Sequence, residues 1–302
     1  MQYRKFIIRS GDDYFGAAGE QQIQRKPNYT LHIILFLLTA FTTTTMGALM
    51  TEVNPYQSWS SFAKGLPYSI AILSILGIHE FAHYFAARIW GITVTPPYFI
   101  PAPIRPIGTF GAIISIKSSI PSRKALIDVG ASGPIAGFIL AVIACIIGLK
   151  MSEIVPLQSQ QEYMILGDSL LFKIFGYFLV GPIPAHYDLN LHPIAFAGWI
   201  GLFITALNLL PIGQLDGGHI LFALSPRLHE LFRRIRIPLL LLLGMTLWSG
   251  WYVWAVFSIF FGTRHPYPDT MEPDIGTTRK IAAVAAIVIF ILCIIPIPVK
   301  VG

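Results

Sequence analysis

The sequence predicts an all-α polytopic membrane protein with about six transmembrane helices and a short β-like hairpin or re-entrant segment near a candidate active site. Three observations carry this: the composition, the lengths of the apolar runs and the distribution of basic residues. Of 302 residues, 54% are apolar and only 12% charged, with a mean hydropathy of +0.65. Soluble domains carry about a quarter charged residues, so this chain cannot cover a globule with charge, and lipid must be its main solvent. The net charge of +6 then reads as Lys and Arg held in cytoplasmic loops. With no aromatic-interleaved basic stretch, nucleic acid is not an expected partner. Cys145 and Cys293 both lie in apolar runs and read as small helix residues, without a disulfide framework or a Cys-x-x-Cys site.

A span needs about 20 mainly apolar residues. Six runs qualify: 31–50, 66–90, 125–149, 192–211, 238–261 and 281–298. The first follows a polar stretch too long for the charged region of a cleaved signal peptide and reads as a retained anchor behind a cytoplasmic segment, 1–30. Residues 163–181 are interrupted by Asp168, Lys173 and Gly176 and stop at Pro182 and Pro184, so a helix lying in the interface is expected there. With the N-terminus inside, fifteen basic residues, Arg88, Arg105, Lys117, Arg123 and Lys300 among them, fall on the cytoplasmic side. Six (Lys64, Lys150, Lys173, Arg264, Arg279 and Lys280) fall outside. Both termini are expected in the cytoplasm.

Residues 96–121 between the second and third spans are rich in Pro and Gly, and 109–117 is β-prone and partly alternating, which suits a short strand or hairpin. The loop 150–191 is too short for an inserted PDZ-sized domain of roughly 100 residues. Residues 31–302 therefore read as one membrane domain with a core at about 66–225 and accessory helices at 31–50, 238–261 and 281–298.

The chemistry lies in His79-Glu80-Phe81-Ala82-His83. On a helix, positions i and i+4 share a face, so His79 and His83 can present two nitrogens to one metal ion. Glu80 can sit beside the open coordination position, activate a water there and return the proton to a leaving amine. Two imidazoles with a carboxylate suit Zn²⁺, and an open position suits hydrolysis. Chance places His-Glu-x-x-His in a chain of this length only about 1% of the time. Inside a span each ionisable group costs about 2.5–3.5 kcal/mol, so a purely structural polar cluster is the weaker reading.

A third ligand is needed, and the carboxylates in or near the spans are Asp128, Asp216 and Glu80 itself. Asp216 follows a run that Pro211 and Gly213 should break, and Gly217-Gly218 permits close backbone approach. In the six-span topology the fourth span delivers Asp216 to the side of His79–His83, provided 163–181 does not cross. A continuous helix from His192 to Asp216 would rise about 36 Å, so the chain should bend back near Pro211–Gly213. Asn208 can donate to a developing oxyanion or bond the broken-helix backbone. His219 reads as a neighbour of the metal ligands or a packing residue, Asp128 as an interfacial hydrogen bonder, and Gly133-x-x-x-Gly137 as a helix-packing pair. Gly108-Thr109-Phe110-Gly111 offers a strand edge to an unwound substrate. His186 and His192 fall on the outer side, away from the metal.

His-Glu-x-x-His in a span, followed by Asn208-Leu209-Leu210-Pro211 and Leu215-Asp216-Gly217-Gly218, resembles the site-2 protease family of intramembrane zinc metalloproteases. The resemblance covers about 66–225 and includes Ala131-Ser132-Gly133-Pro134-Ile135-Ala136-Gly137. It implies one zinc ion held by His79, His83 and Asp216, Glu80 as general base and Asn208 as a substrate- or transition-state-contacting amide, while the short 150–191 loop departs from many members in leaving no room for a PDZ domain, which makes this a short form. It also implies cleavage of transmembrane segments of other membrane proteins, often releasing a regulatory domain. A prenyl-protein-type membrane protease shares His-Glu-x-x-His but takes a later Glu as third ligand, and no Glu is suitably placed here. A zinc transporter would need several intramembrane acidic or His sites, where the sequence offers one cluster.

Overall fold

The computed structural model describes residues 29–156, 164–261 and 268–301. The segment 1–28, with Arg4, Lys5, Arg9, Arg25 and Lys26, lies outside the described residues, as does Arg264.

Among the described residues, three helices are long and apolar enough to cross a bilayer: α1 (Tyr29–Met50), α3 (Leu66–Ile89) and α4 (Arg123–Lys150). A short helix, α2 (Trp59–Ala63), links the first two. Strands β1 (Tyr98–Pro101) and β2 (Thr109–Ile113) pair antiparallel between α3 and α4. Beyond α4 come β3 (Glu153–Pro156), β4 (Met164–Leu166), α5 (Leu170–Phe175) with a π-helical turn over Gly176–Val180, and β5 (Tyr187–Asn190). The chain continues through α6 (Pro193–Asn208), α7 (Asp216–Leu224), α8 (Pro226–Thr246), α9 (Gly250–Phe261), α10 (Thr277–Cys293) and β6 (Val299–Val301). The helical stretch Leu170–Val180 rises roughly 16 Å, about half the hydrocarbon core.

Helices α3, α4 and α6 form the central unit. Its core holds Tyr68, Ile72, Ile75 and Leu76 against Ala141, Ala144 and Cys145, with Ala195, Ala197, Ile200 and Leu202 closing the third side. Small residues let α4 and α6 touch backbone to backbone: a Cβ on Gly148 would meet the Ala195 nitrogen at 2.1 Å, and one on Gly198 the Cys145 nitrogen at 2.7 Å. The opposite pattern marks α1, whose Ile33, Ile34, Leu37 and Phe41 are exposed, as suits a helix facing lipid.

The β1–β2 ribbon is long in space. Bonds Lys117 N–H to Thr93 O and Thr95 N–H to Ser115 O extend its base toward the C-terminal end of α3. Its tip is held by the Tyr68 hydroxyl, which donates to Ile107 O (2.7 Å), and by the Thr42 hydroxyl, which donates to Gly108 O (2.8 Å). Tyr68 lies at the start of α3 and Arg88 at its end, so the ribbon runs the length of that helix. Arg105, assigned to the same side as Arg88 by the sequence reading, therefore sits at the other end of the molecule.

The run 238–261 is not one span. Helix α8 ends at Thr246 and α9 starts at Gly250. The two pack together, with the Tyr252 ring against Gly244. Trp248 and Ser249 make the reversal, their carbonyls accepting from the N–H groups of Trp251 and Tyr252. The chain thus reverses within a run that the six-span reading takes as one crossing, and α10 points opposite to the direction that reading gives it. Arg279 at its start pairs with Asp128 (2.8 Å) near the start of α4, whereas β6 beyond its end pairs with β4. Gly167 N–H donates to Pro298 O and Trp199 Nε1–H to Gly167 O, which fixes the Val299–Val301 end beside the start of α6. Arg279 and Lys280 consequently lie at the Arg88 end, and Lys300 at the opposite one.

Candidate metal centre

Helix α3 carries His79, Glu80 and His83 on its buried side. Helix α6 ends at Asn208, three residues before Pro211, which cannot donate within a continuing helix. The chain turns through residues 209–215, with Gly213 in the left-handed region (φ +55°), and Asp216 opens α7. A carboxylate in the first turn is favoured by the unpaired N–H groups there. Gly217 and Gly218 are required by contact: a Cβ on them would lie 2.0 Å from Leu209 O and 2.4 Å from Gly213 O.

The turn delivers Asp216 to the two histidines. His83 Nε2 stands 3.1 Å from His79 Nε2 and 3.2 Å from Asp216 Oδ2, and His79 Nε2 is 3.4 Å from that same oxygen. Among the described residues these three form the cluster of His, Cys, Asp and Glu able to hold a metal ion. His83 Nδ1 lies 2.7 Å from Val129 O, so Nδ1 carries the proton and Nε2 presents a lone pair. Two imidazoles and a carboxylate then converge on one point, a set that calls for a cation. Donors about 2.0–2.1 Å from a tetrahedral ion lie roughly 3.3–3.4 Å apart. The observed triangle, with edges of 3.1 to 3.4 Å, fits.

Helix α4 backs this triangle with glycine. A Cβ on Gly133 would fall 2.1 Å from His83 Nε2, and one on Gly137 would fall 3.0 Å from His79 Nδ1. The sequence reading assigned these glycines to helix packing alone. A signal was present: Gly133 and Gly137 have the spacing of His79 and His83, and antiparallel helices bring such pairs into register.

The remaining candidates divide. The Asn208 side-chain amide nitrogen lies 3.2 Å from His79 Nε2. Glu80 is buried, and the backbone of Ile114, just past β2, lies close to its carboxylate. His219 packs over Gly130 with its β-carbon and is not in the cluster. His192 instead caps α6, its Nδ1 accepting from Ile194 N–H. Asp128 takes the Trp90 indole N–H (3.1 Å) and the Arg279 guanidinium. The four-residue strand segment splits: Gly108 packs on Thr42 and Thr43 and Thr109 bonds Ile100 O, while Phe110 is 69% exposed and Gly111 has open space at its Cβ.

A helical bundle with three membrane-length helices and a buried His-His-carboxylate centre is the architecture of a membrane metallohydrolase. The chain belongs to peptidase family M50, whose model matches residues 67–247. It is 30% identical over 254 residues to probable zinc metalloprotease EGY2, chloroplastic, of Arabidopsis thaliana, covering 83% of this chain and 45% of that protein. The protein of the same name in Oryza sativa subsp. indica is 32% identical over 311 residues, 98% of this chain and 56% of its own. Probable zinc metalloprotease EGY1, chloroplastic, of Arabidopsis thaliana is 28% identical over 296 residues, 89% and 53% of the two chains. This chain thus spans about half the length of the curated relatives it matches.

Proposed function

We propose that the chain is an intramembrane zinc endopeptidase that hydrolyses peptide bonds in or near transmembrane segments of membrane-protein substrates, as in regulated intramembrane proteolysis. The observation that carries this reading is the donor triangle of His79, His83 and Asp216, its two histidines on a helix of membrane-spanning length with Glu80 buried beside them. These three side chains hold the ion, which when bound supplies Lewis acidity.

Glu80 is the general base. Its carboxylate takes a proton from the attacking water and returns it to the leaving amine. The Asn208 amide, at hydrogen-bonding distance from His79 Nε2, is placed to donate to the oxyanion that develops on the scissile carbonyl. A peptide bond within a helix is sheltered from attack, so the substrate must be extended. The edge of β2 supports extension by strand addition. The part suited to this is Phe110 to Ile114 and not Gly108–Thr109, because the latter pair is engaged with α1 and β1, whereas Ile114 lies beside the Glu80 carboxylate.

The deciding experiment compares wild type and Glu80→Gln on a panel of single-span substrates in detergent. The variant retains zinc and loses cleavage. Undiminished cleavage by pure, zinc-loaded Glu80→Gln would sink the mechanism.

A further inference from the structure

His229 belongs to no motif of the sequence, yet it touches the centre's scaffold from a different helix. It lies near the start of α8, is 3% exposed, and its Nε2 stands 3.2 Å from the carbonyl oxygen of Gly213. Its ring meets Phe222 of α7 edge-on, with centroids 5.3 Å apart. His229 therefore grips the turn three residues before Asp216 and the helix six residues after it.

Gly213 is the pivot of that turn. It holds the left-handed φ of +55°, and its carbonyl oxygen passes so close to Gly218 that a Cβ there would stand 2.4 Å away. A rotation of the Gly213 peptide would swing this oxygen into α7 or leave it unpaired in an apolar setting. Both ends of the turn carry site residues, with Asn208 before it and Asp216 after it. An imidazole buried against Phe222 is tolerated when its N–H is satisfied, and the Gly213 carbonyl is the acceptor facing it.

We propose that His229 is a positioning residue of the metal centre: its Nε2–H holds the Gly213 carbonyl and thereby fixes the distances from Asp216 and Asn208 to the two histidines. This rests on the reading of His79, His83 and Asp216 as metal ligands.

The test uses the full chain in detergent as wild type, His229→Leu and His229→Gln. Zinc affinity is measured by chelator competition, the cobalt-loaded protein by its visible absorption, and turnover on a single-span substrate by kcat and KM. Leucine removes the donor. It should weaken zinc binding about ten- to hundred-fold, alter the cobalt bands and lower kcat by a similar factor with KM within about two-fold of wild type. Glutamine keeps an N–H donor and should restore most of each loss. A His229→Leu protein with wild-type zinc affinity, cobalt spectrum and kcat overturns the proposal. Equal losses in both variants also overturn it, since the proposal requires the N–H and not the ring. A wild-type protein that binds neither zinc nor cobalt overturns the metal-centre reading itself, an outcome distinct from failures confined to the variants.

Discussion

Gly133 lies flush against His83: a β-carbon on this glycine would stand 2.1 Å from His83 Nε2, the atom that also faces His79 and Asp216. The missing side chain on α4 is thus as much a feature of the centre as the imidazole on α3. His83 cannot retreat, because its other nitrogen is held by Val129 O at 2.7 Å. Gly133→Ala should therefore displace the ring and weaken zinc binding by about 100-fold, at the upper end of what altered ligand support costs. Gly176→Ala, where a Cβ meets nothing within 4 Å, is the control that should bind normally. Zinc content after dialysis against a chelator reads both, and a zinc-loaded Gly133→Ala protein would refute the argument.

The metal motif was legible because its spacing is local: i and i+4 on one helix, and a Pro and Gly pair that stops the next helix before Asp216. The glycine cradle was only half legible, since Gly133-x-x-x-Gly137 states that helices approach closely but not which residues they approach. The error over 238–261 has a different cause. That run is long enough for one span, and the reversal rests on Trp248 and Ser249, where tertiary packing of Tyr252 on Gly244 outweighs an uninterrupted apolar pattern. Charge counting could not expose the mistake. Among the described residues, Arg105 and Lys300 leave the Arg88 end while Arg279 and Lys280 join it, an exchange of two for two that leaves the difference between the ends unaltered.

The inverted α10 makes a topology prediction. Single cysteines at Ser118, beside the ribbon base, and at Lys300, in β6, should be labelled by an impermeant maleimide from opposite faces of sealed vesicles. The background would carry Cys145→Ser and Cys293→Ser, both native thiols being buried. The six-span reading requires labelling of the two sites from the same face, so the result discriminates between the two arrangements.

Asp216 and His219 share the first turn of α7, and Asp216 is the one in the metal-capable group, its Oδ2 lying 3.2 Å from His83 Nε2. Asp216→Ala should lose the bound metal, and His219→Ala should retain it at full stoichiometry. Metal analysis of the two purified proteins settles the third ligand, and the reverse pattern would transfer that role to His219.

Helix α7 is held at its far end too, by Arg123 at the start of α4. Its guanidinium donates to the carbonyls of Ala223 and Leu224, the last two residues before the α7 helix gives way to Ser225, and to the Glu272 carbonyl at 2.9 Å. A cation at a helix C-terminus satisfies carbonyls that have no partner within the helix and suits the helix dipole. One fork thereby ties together α4, which carries the glycine cradle, α7, which carries Asp216, and the segment leading into α10. Arg123→Ala leaves these acceptors to water or unpaired, a loss of about 1–3 kcal/mol for those that stay buried. Arg123→Lys keeps the charge but lacks the planar fork, so it should recover only part of the loss. The apparent unfolding midpoint should fall in the order wild type, Lys, Ala, and zinc affinity should fall in the same order, because loosening α7 loosens Asp216. Unfolding midpoints that drop while zinc affinity stays constant would show that Arg123 supports the fold without reaching the metal centre.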